Sequence, residues 1–124
     1  MADISIVVPV YNESPNLRLL AEAIRKAMSG YVGRYECILV DDGSSDGSDK
    51  IMREIAADDP HHKPVFFRRN FGQTAALSAG FDHARGRIIV TLDADLQNDP
   101  ADIPMLIAKI NEGHDLVSGW RQNR

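Results

Sequence analysis

Short, unbroken apolar runs alternate with stretches of helical periodicity from one end of this sequence to the other. Residues 4–10, 35–40, 65–68, 88–92 and 115–118 read as strands, most of them rich in β-branched side chains. Between them, Leu17, Leu20, Ala21, Ile24 and Met28 recur at helical spacing, behind Ser14 as a cap and Pro15 at the first helical position. A second helix covers about residues 48–57 and buries Ile51, Met52 and Ile55. A third covers residues 73–84 despite Gly80, which costs about 1 kcal/mol against Ala in a helix interior. A fourth opens at Asp99-Pro100, buries Ile103, Leu106, Ile107 and Ile110, and ends by Gly113. Strands without polar alternation are buried on both faces, so the sheet should be mainly parallel. With right-handed crossovers, the expectation is an α/β Rossmann-like, doubly wound sheet.

A length of 124 residues suits one domain with a real core. The whole chain is therefore read as a single domain, and its stop soon after the fifth strand reads as truncation of a longer protein. A hydrophobic share of 44% with 26% charged residues is that of a soluble globular chain. The net charge of −4 disfavours general nucleic-acid binding, which needs a basic face. No stretch approaches the ~20 apolar residues of a membrane span, and the N-terminus has no basic region of a signal peptide. The one cysteine, Cys37, lies in an apolar run and reads as a buried, inert thiol.

Ligands of open parallel sheets bind beyond the carboxyl ends of the strands, where strand order reverses. Three polar segments fall there: Tyr11-Asn12-Glu13, Asp41-Asp42 and Asp93-Ala94-Asp95. In the usual order strands one and four are neighbours, so the three should share one crevice. Strand alternation sends Asp93 and Asp95 to one side. Either they are solvated turn residues or a divalent cation intervenes, and their place at the end of an apolar strand favours the cation. Asp41 and Asp42 read as nucleotide contacts, with an Asx turn as the alternative. Glu13 reads equally as a ligand contact or as a helix cap. In the segment 68–73, Gly72 and the free amides of a helix start suit an anion beside Arg69, against a plain capped helix with solvated arginines. His61, His62, His83 and His114 show no metal-ligand clustering. The chain has neither GxGxxG after its first strand nor GxxxxGK[ST], which disfavours dinucleotide oxidoreductases and P-loop enzymes. It also lacks the nucleophile elbow of a Ser-His-Asp hydrolase.

Four segments in order, VVPVYNE (7–13), ILVDDGSSDGS (38–48), RNFGQTAALSAGFDHA (69–84) and VTLDADLQNDPADIP (90–104), resemble glycosyltransferase family 2, with its GT-A fold. DADLQ and RNFGQ are most similar to the polyprenyl-phosphate branch, which includes dolichyl-phosphate mannose synthase and bacterial undecaprenyl-phosphate sugar transferases. The resemblance implies inverting transfer of a sugar from a nucleotide-sugar to a lipid phosphate, with a UDP-sugar favoured. It implies that Pro9, Tyr11, Glu13 and Asp42 line a nucleoside pocket, with Asp41 beside them. Asp93 and Asp95 would face Mg²⁺ or Mn²⁺ and the diphosphate, with Gln97 close by. Arg121, or Arg124, would approach phosphate. It further implies a membrane surface contacted through a C-terminal part, a site of action at the cytoplasmic face, and a soluble donor-binding half in these residues. An anionic phosphate acceptor needs less help from a general base than a hydroxyl does.

Two other readings stand beside this one: a non-catalytic nucleotide-sugar binding module, and a family 2 transferase with a saccharide acceptor. A haloacid-dehalogenase-like phosphatase also uses DxD, but after its first strand rather than its fourth.

Overall fold

The computed structural model describes residues 2–96 and 99–111. Four strands, β1 (Ile4–Val10), β2 (Tyr35–Asp41), β3 (His62–Phe66) and β4 (Ile88–Thr91), form one sheet in the order β3-β2-β1-β4. Every pairing is parallel. Helices α1 (Ser14–Met28), α2 (Ser48–Asp58), α3 (Gln73–His83) and α4 (Ile103–Asn111) connect or follow them, the last behind a single 3₁₀ turn at Pro100–Asp102. The expected fifth strand lies outside the described residues.

Strand alternation sorts the core into two layers. Ile4, Ile6, Val8, Val10, Cys37 and Leu39 face a cluster built from Leu17, Leu20, Ile24 and Met28 of α1, Met52 and Ile55 of α2, and Ile103, Leu106 and Ile107 of α4. Ile38 and Val40 face the other way, onto Ala76 of α3. Helices therefore cover both faces, as a doubly wound sheet requires. Burial pushes the Cys37 thiol far up, which keeps it protonated and inert.

Two elements differ from the sequence reading. The first helix takes Glu13, not Ser14, as its cap residue, and the Glu13 side chain makes no capping hydrogen bond. The third strand begins at His62, three residues earlier than expected. Its polar and proline positions hid it. An edge strand needs only one bonded side, which is where sheets tolerate proline, and β2 supplies that side through the register from Cys37↔His62 to Asp41↔Phe66.

Gly80 has a reason that helix propensity does not show. A Cβ there would lie 2.3 Å from Val7 Cγ1, so α3 sits on β1 only because the side chain is absent. Gly80→Ala is thus expected to lower stability by about 1–3 kcal/mol through overpacking, against the ~1 kcal/mol gain that propensity alone predicts. The urea midpoint checks the sign.

Candidate active site

The site is created where β1 and β4 part. Their pairing ends at Val7↔Thr91, with one last bond from Leu92 N to Val7 O at 3.0 Å. β1 continues through Val8, Pro9 and Val10 alongside β2 only. Val10 O accepts from Asp42 N on the β2 side. By alternation Pro9 points to the β4 side, where no ladder partner remains, so its missing N–H costs nothing. The gap opens into a cavity of about 460 Å³ lined by Pro9, Val10, Tyr11, Glu13, Asp42, Asn70, Gly72, Gln73, Asp93, Ala94 and Asp95.

The acids after the first, second and fourth strands thus meet in one crevice. Beyond β4, Leu92 and Ala94 are buried, while Asp93 is half-buried and Asp95 exposed. The apolar members anchor the turn, Leu96 also packs against the main core, and both carboxylate residues line the cavity. Leu96 holds a left-handed φ of 66°, a conformation that costs a non-glycine residue on the order of 1 kcal/mol and that recurs at ligand sites.

The loop after β1 is fastened to the loop after β2. Asn12, at φ 53°, accepts from Ser45 N through Oδ1 at 2.8 Å, and its own N–H donates to Ser44 Oγ at 2.9 Å. Glu13 N donates to Ser48 Oγ at 3.1 Å and Ser14 N to Asp46 Oδ2 at 3.0 Å. Slight burial works to raise the Asp46 carboxyl, but hydrogen bonds from Ser48 and Ser14 outweigh it and hold it at about 2. The Asp46 carboxylate therefore stays ionised below the ordinary aspartate range. These serines and Asp46 escaped the sequence reading, although the run DGSSDGS signalled a turn rich in local acceptors.

Asp41 and Asp42 have separate places. Asp41 is buried, accepts from Ser44 N at 3.1 Å, and is not part of the cavity lining. Asp42 does line it, and its carboxylate takes the amides of Phe71 and Gly72 at the start of α3. Two of the amides expected to suit an anion are thereby occupied. Arg69 lies with its guanidinium 4.7 Å from the centre of the Phe71 ring, outside the cavity lining. Glu13 accepts from Asn16 Nδ2 at 3.0 Å and lines the cavity as well. Val10, Asn70, Gln73 and Ala94 were not singled out as site residues in the sequence. Gln97, Arg121 and Arg124 lie outside the described residues.

A hard divalent cation takes oxygen ligands and is commonly held by one or two carboxylates plus phosphate oxygens and water. Asp93 and Asp95 have the chemistry for that role. Among the described residues no group of three or more His, Cys, Asp or Glu could hold a metal ion, so any ion here would need ligand oxygens to complete its shell. Of the histidines, His61 stacks on Tyr35 and contacts Asp59, while His62 is buried with neither ring nitrogen hydrogen-bonded. Burial lowers the His62 pKa, against the pull of Asp59. No described helix is long and apolar enough to cross a membrane.

Known proteins resemble this chain in sequence and in fold. The chain is 48% identical over 122 residues to the undecaprenyl-phosphate 4-deoxy-4-formamido-L-arabinose transferases of Klebsiella pneumoniae and Proteus mirabilis. Each match covers 98% of this chain and 37% of the relative, so the chain spans little more than a third of their length. Among solved structures it is similar to a mannosyltransferase from Pyrobaculum calidifontis in complex with GDP-Man and Mn²⁺. The TM-score is 0.68 at 30% identity, over 74% of this chain and 27% of that one. It shares its fold with Staphylococcus aureus TarS at TM-score 0.70 and 21% identity, over 90% of this chain and 33% of that one. The model of glycosyl transferase family 2 matches residues 5–124, and with the parallel sheet and its strand-end acids in place, the chain belongs to that family.

Proposed function

We propose that residues 1–124 form the donor-binding domain of an inverting transferase that moves a sugar from a nucleotide-sugar to a polyprenyl phosphate. One observation carries this reading: the residues trailing strands one, two and four line a single cavity at the strand-order switch. The relatives at 48% identity are named as undecaprenyl-phosphate sugar transferases, and the Pyrobaculum calidifontis neighbour holds GDP-Man with Mn²⁺. A UDP-sugar is preferred as donor, because the bacterial lipid-phosphate relatives match this chain more closely than the GDP-mannose-bound one does. The site of action is the cytoplasmic face of a membrane.

In this reading Pro9, Tyr11 and Glu13 border the nucleoside, and Asp93 and Asp95 hold Mg²⁺ or Mn²⁺. When bound, such an ion neutralises charge on the diphosphate leaving group. Tyr11 is half exposed at the rim, where its ring offers a stacking face. The described residues orient the donor, and positioning of an anionic acceptor against it supplies much of the rate.

Thermal-shift measurements with UDP, GDP and their sugars, with and without Mn²⁺, test this. Stabilisation by one nucleotide that grows when metal is added is the expected result. No shift with any of them removes the reading. Turnover by the full-length protein separates a transferase from a binding module.

A further inference from the structure

Among the described residues other than glycine, two hold a left-handed φ: Asn12 at 53° and Leu96 at 66°. Both stand in loops that border the same cavity. Asn12 lies between Tyr11 and Glu13, and Leu96 directly follows Asp95. Their chemistry differs. Asparagine visits this region more readily than most side chains, and Asn12 is held there by its bonds to Ser44 and Ser45. Leucine is disfavoured there, because its Cβ crowds the following carbonyl oxygen. Leu96 is held by packing, with its side chain partly buried against the main core cluster.

The turn explains why a leucine stands at this φ. Leu92 and Ala94 are buried in that same cluster, and the chain turns at Ala94 and Asp95. Leu96 lies past the turn and still returns to the cluster, with its φ left-handed. Asp95 is thereby flanked on both sides by residues seated in the core, while its own side chain stays exposed. Glycine would adopt this φ without strain, but it has no side chain to seat. Leu96 is not part of the cavity lining, so its effect on a ligand must pass through the turn.

We propose that Leu96 is a positioning residue for the acids of the metal site. Its seat in the core fixes the turn, so that Asp93 and Asp95 hold their places at the cavity before an ion arrives. Ligands ordered in advance lose less freedom on binding than ligands on a loose turn. The inference rests on the reading of Asp93 and Asp95 as metal ligands.

The test is calorimetric titration of full-length protein with UDP and with GDP, each in Mn²⁺ and in chelator. Leu96→Gly permits the φ and removes the seat. It is expected to weaken binding in Mn²⁺ about tenfold, the size typical of lost support behind a metal ligand. Binding in chelator should stay as in wild type. Leu96→Met keeps an apolar side chain of similar volume and is expected to stay within about threefold of wild type in Mn²⁺. In turnover, Leu96→Gly should raise the Mn²⁺ concentration that gives half the maximal rate, and leave kcat at saturating Mn²⁺ within about threefold. A merely structural residue would weaken both kinds of binding together.

Leu96→Gly with wild-type affinity in Mn²⁺ overturns the proposal. So does an equal loss in chelator, and so does a methionine variant no better than the glycine one. If Leu96→Gly does not fold, Leu96→Ala, which also removes most of the seat, takes its place under the same readings. If wild type binds neither nucleotide, or binds no better in Mn²⁺ than in chelator, the metal reading falls and takes this inference with it.

Discussion

Asp95→Ala is expected to abolish the Mn²⁺-dependent part of nucleotide binding and to cut sugar transfer by the full-length protein at least about a hundredfold. The side chain is exposed at the cavity, on a turn anchored by its neighbours Leu92, Ala94 and Leu96. Removing the carboxylate leaves that anchoring in place. Asp93 remains, but one acid is then the whole protein contribution to the shell that the described residues offer. The cavity wall formed by Pro9, Tyr11 and Glu13 is untouched. Weak, metal-independent nucleotide binding should therefore survive. Thermal shift and titration, each run with Mn²⁺ and with chelator, read the two components apart. A variant that keeps the full metal-dependent shift sinks the assignment of Asp95 as a metal ligand.

Much of this site was legible because its logic is local. Leu92, Ala94 and Leu96 alternate with Asp93 and Asp95, and a two-residue period is enough to put both acids on one side of a strand end. The strand order that brings them beside Tyr11 and Glu13 follows from unbroken apolar runs and right-handed crossovers. What stayed hidden depends on partners far along the chain. Asp41 and Asp42 are chemically alike and adjacent, yet one closes a turn onto Ser44 and the other ties down Phe71 and Gly72, 29 and 30 residues away. Only the fold brings that second loop within reach. The start of β3 was hidden for a similar reason. His62, Lys63 and Pro64 have little strand character alone and are recruited by the exposed edge of β2.

Glu36 is the strongest case of hidden function in an apolar run, and its loss is expected to be the most damaging to the fold. Its side chain is 1% exposed within β2. Oε2 accepts from Ser5 Oγ at 2.5 Å and Arg85 N at 2.6 Å, and Oε1 accepts from Lys63 Nζ at 3.0 Å. Ser5 in turn accepts from Gly86 N at 2.7 Å, where the α3–β4 turn packs so tightly on β1 that a Cβ on Gly86 would lie 2.6 Å from Ser5 N. One carboxylate thereby joins β1, β2, β3 and the entry to β4. Glu36→Ala strands the Ser5 hydroxyl and the Arg85 amide without their acceptor, at about 1–3 kcal/mol each. The total should reach about 3–5 kcal/mol, or a melting point lower by roughly 10–20 °C. Glu36→Gln keeps an acceptor for those two groups and loses only the bond to the exposed Lys63, worth about 0–1 kcal/mol, so it should cost far less. The pH dependence has a definite sign. Burial works to raise the Glu36 carboxyl, but Ser5, the Arg85 amide and Lys63 together bring it below its ordinary value. The unfolded chain then binds the proton more readily than the folded one, so this contribution is complete above the unfolded pKa of about 4.3. It is lost as pH falls through the lower, folded value. Glu36→Gln should remove that acid-limb dependence, and urea unfolding of both proteins across pH 3–7 measures it. Parallel slopes in the two proteins would mean that Glu36 is not the group responsible.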